Sequence, residues 1–517
     1  MRVAVVAQIK RGKSTLVNAL LGQDVAPTAQ LEATFTVGEF YRAAQARVTV
    51  HFKEPDAKAL TVAPEHFAAY TVNDPRQAAL LRRIRKVEYG IPNPLLGRFR
   101  LLDTPGLGSI YHADSQNTLI TLGVDGFLDP EEQGRLEKVL AQMGRDAAEM
   151  HRDTVRALDG ADAVVYLFDR GLNQRDASVV VRFLGPLGPS FNALKVVGVL
   201  SRCDQWYWPP ADLGADPLSH DPLAEGRKIA ARRLAEPDVR RMFFRVLPVA
   251  ALASAGASVL DAEKLAWLDA LAGADPRRLA AALSDVNLFA RSESVSGVRL
   301  PKAARGAIVT TLGAWGTLKA ALYRRDGVEP AELRRLLDSD SGVADVRRTL
   351  VEHFGNRAAA LKLDQALREV SNHVARLRME SVTARSSLPP EVGYVDGVVE
   401  RIRLSGSELA ELAVLEDYYQ GRLDLDASIA EVLRVTGEHG RSVHARLGRP
   451  ADTPLAPLVA LADERAGAWA NRGEALGLDG ATAAAARQIA TSYGLLSARI
   501  RKARQLLDWD DDADGEG

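Results

Sequence analysis

An apolar run at residues 3–6 leads into Gly12-Lys13-Ser14, and a helix-like stretch at residues 16–21 follows. A strand, a tight turn and a helix in that order leave little freedom of architecture. The start of a helix presents unpaired backbone N–H groups and partial positive charge to the turn before it. Such a turn holds phosphate at the carboxyl edge of an α/β sheet. Ala7-Gln8-Ile9-Lys10-Arg11-Gly12-Lys13-Ser14 follows the phosphate-loop pattern with one departure, Ala7 in place of the first glycine. Gln8, Ile9, Lys10, Arg11, Gly12, Lys13, Ser14 and Thr15 are therefore the expected phosphate cradle. Gly12 permits the turn, the Lys13 ammonium is expected on the terminal phosphates, and the Ser14 hydroxyl is an expected Mg²⁺ ligand.

Three further stretches fall at the ends of expected strands. Residues 99–102 run into Asp103-Thr104-Pro105-Gly106-Leu107-Gly108, where the Asp103 carboxylate can hold the Mg²⁺ water shell and the Gly106 N–H can approach a γ-phosphate. Residues 196–200 run into Ser201-Arg202-Cys203-Asp204. An ionised carboxylate accepts two N–H bonds from the edge of guanine and finds no such pair on adenine. Asp204, with Ser201 and Arg202 beside it, therefore points to GTP over ATP. Residues 246–249 end at Ala250 and Ala251, small enough for the backbone to close over a base. Between the first two motifs, Pro27-Thr28-Ala29-Gln30-Leu31-Glu32-Ala33-Thr34 is a loop able to bring the Thr34 hydroxyl to the metal.

The expected metal ligands are thus Ser14, Thr34 and Asp103, and the expected catalytic residues are Lys13, Thr34 and Gly106. Lys10 and Arg11 join them if either folds over the nucleotide as a finger from the same chain; an exposed basic pair is the other reading. His112 can orient water or be a solvated loop histidine. Nothing else reads as a general base, which suits phosphoryl transfer, where positioning and electrostatics carry most of the catalysis. Cys203 reads as a small buried filler, the alternative being a redox switch. The loop Trp206-Tyr207-Trp208-Pro209-Pro210 can pack on itself, cover a base or meet another chain.

Beyond residue 290 strand signals fade and Ala, Leu, Arg and Glu dominate. Breaks fall at residues 327–330, 338–342, 388–393, 448–454 and 477–480, which predicts a bundle of four to six helices, with long ones near 355–387 and 407–445. The expected organisation is an α/β P-loop domain at 1–290, an all-α helical bundle at 291–507 and an acidic disordered tail at 508–517. Residues 482–507 pair an apolar side with Arg487, Arg499, Arg501, Lys502 and Arg504, the pattern of an interfacial helix and equally of a bundle helix with a charged outer face.

Against 66 Lys and Arg stand 67 Asp and Glu, so the formal net charge of -1 steers the chain to neither nucleic acid nor an acidic membrane. One cysteine makes no internal disulfide, and neither an N-terminal signal nor a long apolar span is visible. These features lead to the expectation of a cytoplasmic protein, or one peripheral on the inner face of the membrane.

Lys10-Arg11-Gly12-Lys13-Ser14-Thr15-Leu16-Val17-Asn18-Ala19-Leu20-Leu21-Gly22, together with Asp103-Thr104-Pro105-Gly106-Leu107-Gly108-Ser109, resembles the bacterial dynamin-like GTPases. Gly198-Val199-Leu200-Ser201-Arg202-Cys203-Asp204 is similar to their actinobacterial branch, which includes the isoniazid-inducible and sporulation dynamin-like proteins. The motifs cover the first 290 residues, and the likeness is looser at residues 333–337 and 350–361. The resemblance implies Mg²⁺-dependent hydrolysis of GTP to GDP and phosphate, self-association through GTPase domains, a second dynamin-like subunit as partner, and membrane remodelling through a helical stalk in division or stress.

Three departures qualify that expectation. The Ala7 methyl crowds a phosphate if that position needs positive φ. Arg202 stands where many GTPases stack a lysine stem on guanine. The first strand is expected to begin at Arg2, so the neck helix that precedes the GTPase domain in larger relatives is expected to be absent or to have been left out of this chain. The alternative expectation is a nucleotide-gated scaffold with weak hydrolysis that recruits division or stress proteins without working on a membrane.

Overall fold

The computed structural model describes residues 1–7, 11–27, 36–72, 75–104, 161–168, 193–210, 216–293, 295, 297–384 and 387–513. Among them nine strands form one sheet: β1 Arg2–Ala7, β2 Val37–Arg42, β3 Arg47–Phe52, β4 Leu60–Val62, β5 Ile84–Ile91, β6 Arg100–Asp103, β7 Ala163–Phe168, β8 Val196–Leu200 and β9 Arg245–Pro248. Their order is β4-β3-β5-β2-β6-β1-β7-β8-β9. From β6 to β9 every pairing is parallel, with Val5 opposite Asp103, Val5 opposite Val165, and Val199 opposite both Leu167 and Leu247. Every residue of β7 and β8 is buried, and their continuous runs without a charged residue, Ala-Val-Val-Tyr-Leu-Phe and Val-Val-Gly-Val-Leu, are what a strand covered on both faces requires. On the other side β2 runs antiparallel to β6 and parallel to β5, and β3 and β4 complete an antiparallel wing.

Helices α1 (Lys13–Leu21), α2 (Cys203–Trp206), α3 (Ala251–Ser258), α4 (Lys302–Arg325) and α5 (Pro330–Asp340) belong to the same unit as the sheet. Helix α3 packs against α1, α4 and α5. Its approach to α4 needs glycine on both sides. A Cβ on Gly256 would lie 2.1 Å from the Thr311 carbonyl oxygen, and one on Gly316 would lie 3.0 Å from the Ala253 Cβ. At the far end of α1 the Arg347 guanidinium donates to the Leu20 carbonyl at 2.9 Å, donates to the Ala19 carbonyl, and is held by Asp338, so the last residue of this unit caps the phosphate-loop helix.

The compact unit holding the sheet thus runs on to Arg347, and the main segment of the second unit, which also takes in Pro237–Phe244, starts at Arg348; this boundary does not coincide with the 290/291 division expected from composition. Residues beyond 290 are helical in texture, but α4 and α5 bury Ile308, Leu312, Trp315, Leu333 and Leu337 within the first unit.

The second unit is helical, built mainly from α6 (Asn356–Ala384), α7 (Pro390–Ser405), α8 (Ser407–Tyr419), α9 (Leu455–Gly473) and α10 (Gly480–Ala513). Every expected break separates two helices. The expected single helix at 407–445 is instead three pieces, because Gly421, Gly437 and Gly440 take φ of 73°, 90° and 137°. Helix α10 continues through residues 508–513, expected to be disordered, with no Gly or Pro between residues 495 and 513 to end it. In the core of this unit His353, Glu438 and Arg357 form a buried charged cluster, with His353 Nδ1 2.9 Å from Glu438 and Arg357 paired to the same carboxylate.

Candidate nucleotide-binding site

Because β1, β6 and β8 run parallel, their carboxyl ends share one edge of the sheet, and the residues that follow them assemble the site. Ala7 closes β1, fully buried and opposite Leu167 of β7. Among the described residues Arg202 is the only non-glycine with positive φ, so Ala7 is an ordinary strand residue and its methyl needs no special backbone. Glycine is needed at the next turn. Gly12, the N-cap of α1, has φ 85° and ψ 24°, and a Cβ there would meet nothing within 4 Å, so conformation and not space selects it. The first intrahelical bond of α1 runs from the Leu16 N–H to the Gly12 carbonyl at 2.9 Å, which makes the N–H groups of Lys13, Ser14 and Thr15 those that a helix start presents.

The Lys13 ammonium, 10% exposed, is paired with Oδ1 of Asp103, 3% exposed. The end of β6 is fastened to β1 by the Thr104 hydroxyl, which donates to the Val5 carbonyl at 2.8 Å. A cation and a carboxylate are thus held face to face at the start of a helix. Two hard-oxygen donors, the Ser14 hydroxyl and the Asp103 carboxylate, suit Mg²⁺, and among the described residues no three of His, Cys, Asp and Glu converge as a protein-only metal site.

At the end of β8 the chain turns sharply. The Ser201 N–H and hydroxyl both donate to the Phe168 carbonyl, at 2.8 and 3.0 Å, so this hydroxyl closes the β7–β8 edge. Arg202 takes the left-handed conformation, φ 58° and ψ 33°, and caps α2. The Cys203 N–H donates to the Val249 carbonyl at 3.1 Å, tying α2 to the end of β9. Asp204 is buried. Desolvation pushes its carboxyl up to about 6, against a bond from its own N–H and the Arg202 charge, which favour ionisation. Ala250 is fully buried, and its N–H donates to the Ser341 carbonyl at 2.8 Å, just past α5. The Cys203 thiol is buried, donates to the Leu200 carbonyl at 3.3 Å and is pushed up by desolvation, which makes it inert packing. Trp208 is buried with its indole N–H on the Pro217 carbonyl at 3.1 Å, so at least this aromatic serves loop packing.

The structure brings Lys13 into contact with Asp103, keeps Ser14 and Thr15 in the same helical turn, and sets Arg202, Asp204 and Ala250 on neighbouring strand ends. Arg11 lies in the turn before Gly12. Gln8, Ile9, Lys10, Thr34, Gly106 and His112 lie outside the described residues. Sequence reasoning missed the lining supplied by α4 and the turn after α5: Gly313, beside Asp204, and Ser341. The signal for the first was a glycine amid a helical run with Gly306 and Gly316; for Ser341 there was none.

A mixed sheet with a glycine-capped helix start at one edge and a lysine–aspartate pair beneath it defines a P-loop nucleotide-binding fold. Residues 3–167 match the Dynamin family model. It is 27% identical over 466 residues to the isoniazid-induced protein IniC of Mycobacterium tuberculosis (strain ATCC 25618 / H37Rv), covering 89% of this chain and 83% of that protein. It is also 32% identical over 122 residues to dynamin-like protein 2 of Campylobacter jejuni, covering 24% and 18% of the two chains. A solved structure of an oligomerised bacterial dynamin pair aligns over 98% of this chain and 69% of its own, at 13% identity and a TM-score of 0.29, too low for its arrangement to inform this one. Among the described residues no helix is long and apolar enough to cross a membrane.

Proposed function

We propose that the chain binds GTP with Mg²⁺ and hydrolyses it to GDP and phosphate. Its GTPase domains pair with one another or with those of a second dynamin-like subunit, and hydrolysis moves the helical region against the inner face of the membrane in division or stress. The observation that carries the nucleotide reading is the Lys13–Asp103 pair at the glycine-capped start of α1. Each member of that pair has a role once nucleotide enters: the ammonium takes up the terminal phosphates, and the carboxylate with the Ser14 hydroxyl holds the cation. When bound, Mg²⁺ supplies neutralisation of charge on the β- and γ-phosphate oxygens. Asp204 supplies the acceptor pair for guanine, and burial in a low-dielectric site strengthens that discrimination while making the ionised form costly.

The weak hydrolysis of the scaffold alternative drew on Ala7 crowding the phosphates, and the placement of Ala7 as an ordinary residue of β1 lends that no support. The reading is tested by measuring phosphate release from GTP and ATP, with Mg²⁺ and with chelator. Mg²⁺-dependent release from GTP alone is the expected result, and equal release from both nucleotides would remove Asp204 from its role.

A further inference from the structure

Helix α4 is broken at its middle. Gly313 has φ 72° and ψ 173°, a conformation open essentially to glycine alone, while the residues on either side continue as helix. The break lies against the guanine-reading motif: a Cβ on Gly313 would sit 3.1 Å from Oδ2 of Asp204 and 3.6 Å from Cδ2 of Leu252. Two further contacts fix the helix there. Gly256 lets the Thr311 carbonyl approach α3, and Gly316 lets α4 lie on Ala253. The Thr317 hydroxyl donates to the Gly313 carbonyl at 2.6 Å and satisfies one group freed by the break.

Asp204 is 4% exposed, and among the described residues no side chain donates to its carboxylate. A buried carboxylate whose donor is its own backbone N–H is costly, and folds tolerate one where a ligand brings further donors. Guanine brings two, and both carboxylate oxygens must then be presented to its edge. One of them now faces Gly313.

We propose that Gly313 is a positioning residue for guanine selectivity, the break in α4 forming the wall against which Asp204 sets its two oxygens. This rests on the reading of Asp204 as the guanine acceptor. A side chain at position 313 would press on Oδ2 and ask the backbone for a conformation L-residues avoid. Either response, a displaced carboxylate or a straightened helix, spoils the match to guanine and leaves phosphate binding alone.

The test measures binding of GTP, ATP and xanthosine triphosphate to the full chain and to the Asp204→Asn, Gly313→Ala and Gly316→Ala variants. Gly313→Ala is expected to weaken GTP on the order of tenfold, about the worth of one charge-assisted hydrogen bond, with ATP unchanged. Gly316→Ala, on the same helix as Gly313, crowds Ala253 of α3 and is expected to keep the wild-type GTP-to-ATP ratio. Asp204→Asn is expected to move preference to the xanthine nucleotide; if it does not, the assignment of Asp204 fails and the inference falls with it. If it does, and Gly313→Ala keeps wild-type selectivity, the inference is overturned while the site reading stands. Equal loss in Gly316→Ala would overturn it too, as a general effect of α4 packing. Should Gly313→Ala not fold, hydrogen exchange of wild-type amides 311–317 decides: GTP but not ATP is expected to alter their protection, and identical protection with both overturns the inference.

Discussion

Lowering the pH from 7 to 5 is expected to weaken GTP relative to ATP about tenfold, because guanine's two donors need the ionised form of Asp204. Burial pushes that carboxyl up to about 6. A group with this value is about one-tenth protonated at pH 7 and about nine-tenths at pH 5, so the apparent Kd rises by factors of about 1.1 and about 11 over its limiting value. Both nucleotides carry the same triphosphate, so the ratio of their affinities cancels phosphate titration and isolates the base. Competition of GTP and ATP for the site at pH 5, 6, 7 and 8 measures the ratio directly. In Asp204→Asn the dependence should vanish, since a carboxamide does not titrate in this range. A flat ratio in the wild type, or a slope that survives the substitution, would refute the reasoning. The sign for stability is opposite to that for binding. An acid whose folded-state pKa stands above its ordinary 3.8 contributes stability at low pH that is lost as pH rises through about 6. The empty protein at pH 7 therefore carries a penalty of order 3 kcal/mol at this site, and Asp204→Asn is expected to raise the thermal midpoint while it loses GTP.

Other substitutions probe separate parts of the account. Lys13→Ala is expected to abolish turnover and leave Asp103 without its cation; nucleotide titration and phosphate release check it, and wild-type hydrolysis would remove Lys13 from the site. Ala7→Gly should keep turnover within about twofold, since Ala7 is strand residue with no positive φ to relieve; a steep loss in steady-state rate would contradict that placement. In the helical unit, burial raises the Glu438 carboxyl, but His353 and Arg357 outweigh it and hold the group well below the usual range. Glu438→Ala strands Arg357 without its carboxylate and is expected to cost about 3–5 kcal/mol in urea unfolding. The depressed pKa also means that stability from this cluster is present above the ordinary carboxyl range and is lost as pH falls below it; a mid-point insensitive to acid in the wild type would argue against the pairing.

The first strand, turn and helix were legible because their signals are local. An apolar run, a glycine that must adopt positive φ and a helix-forming stretch are contiguous, and Gly12 and α1 follow from them. The strand ending at Asp103 was legible from the apolar run before it. The expected helix breaks were also local, resting on Gly and Pro pairs, and each lies between two helices of the structure. What escaped was long-range. The strands β2 to β5 are mixed in composition, and the pairing of β2 and β3 with β5 joins residues dozens of positions apart. Residues 302–340 read as stalk by texture yet bury their apolar side within the unit of the sheet, because α4 and α5 pack on α3, a contact no periodicity reveals. Gly421, Gly437 and Gly440 were visible as glycines, and the long-helix expectation at 407–445 gave them too little weight. Gly313 carries the same lesson in reverse: a glycine inside a convincing helical run marked the place where the helix stops to meet the site.

In the proposed function, GTP turnover depends on the meeting of GTPase domains near a membrane. The most direct measurement is GTP turnover per molecule across a range of protein concentrations, alone and with vesicles of phosphatidylethanolamine and phosphatidylglycerol. The account predicts a specific rate that climbs with concentration, climbs further with vesicles, and is absent in Lys13→Ala. A rate that stays flat at every concentration with GTP tightly bound, unmoved by vesicles, would contradict it.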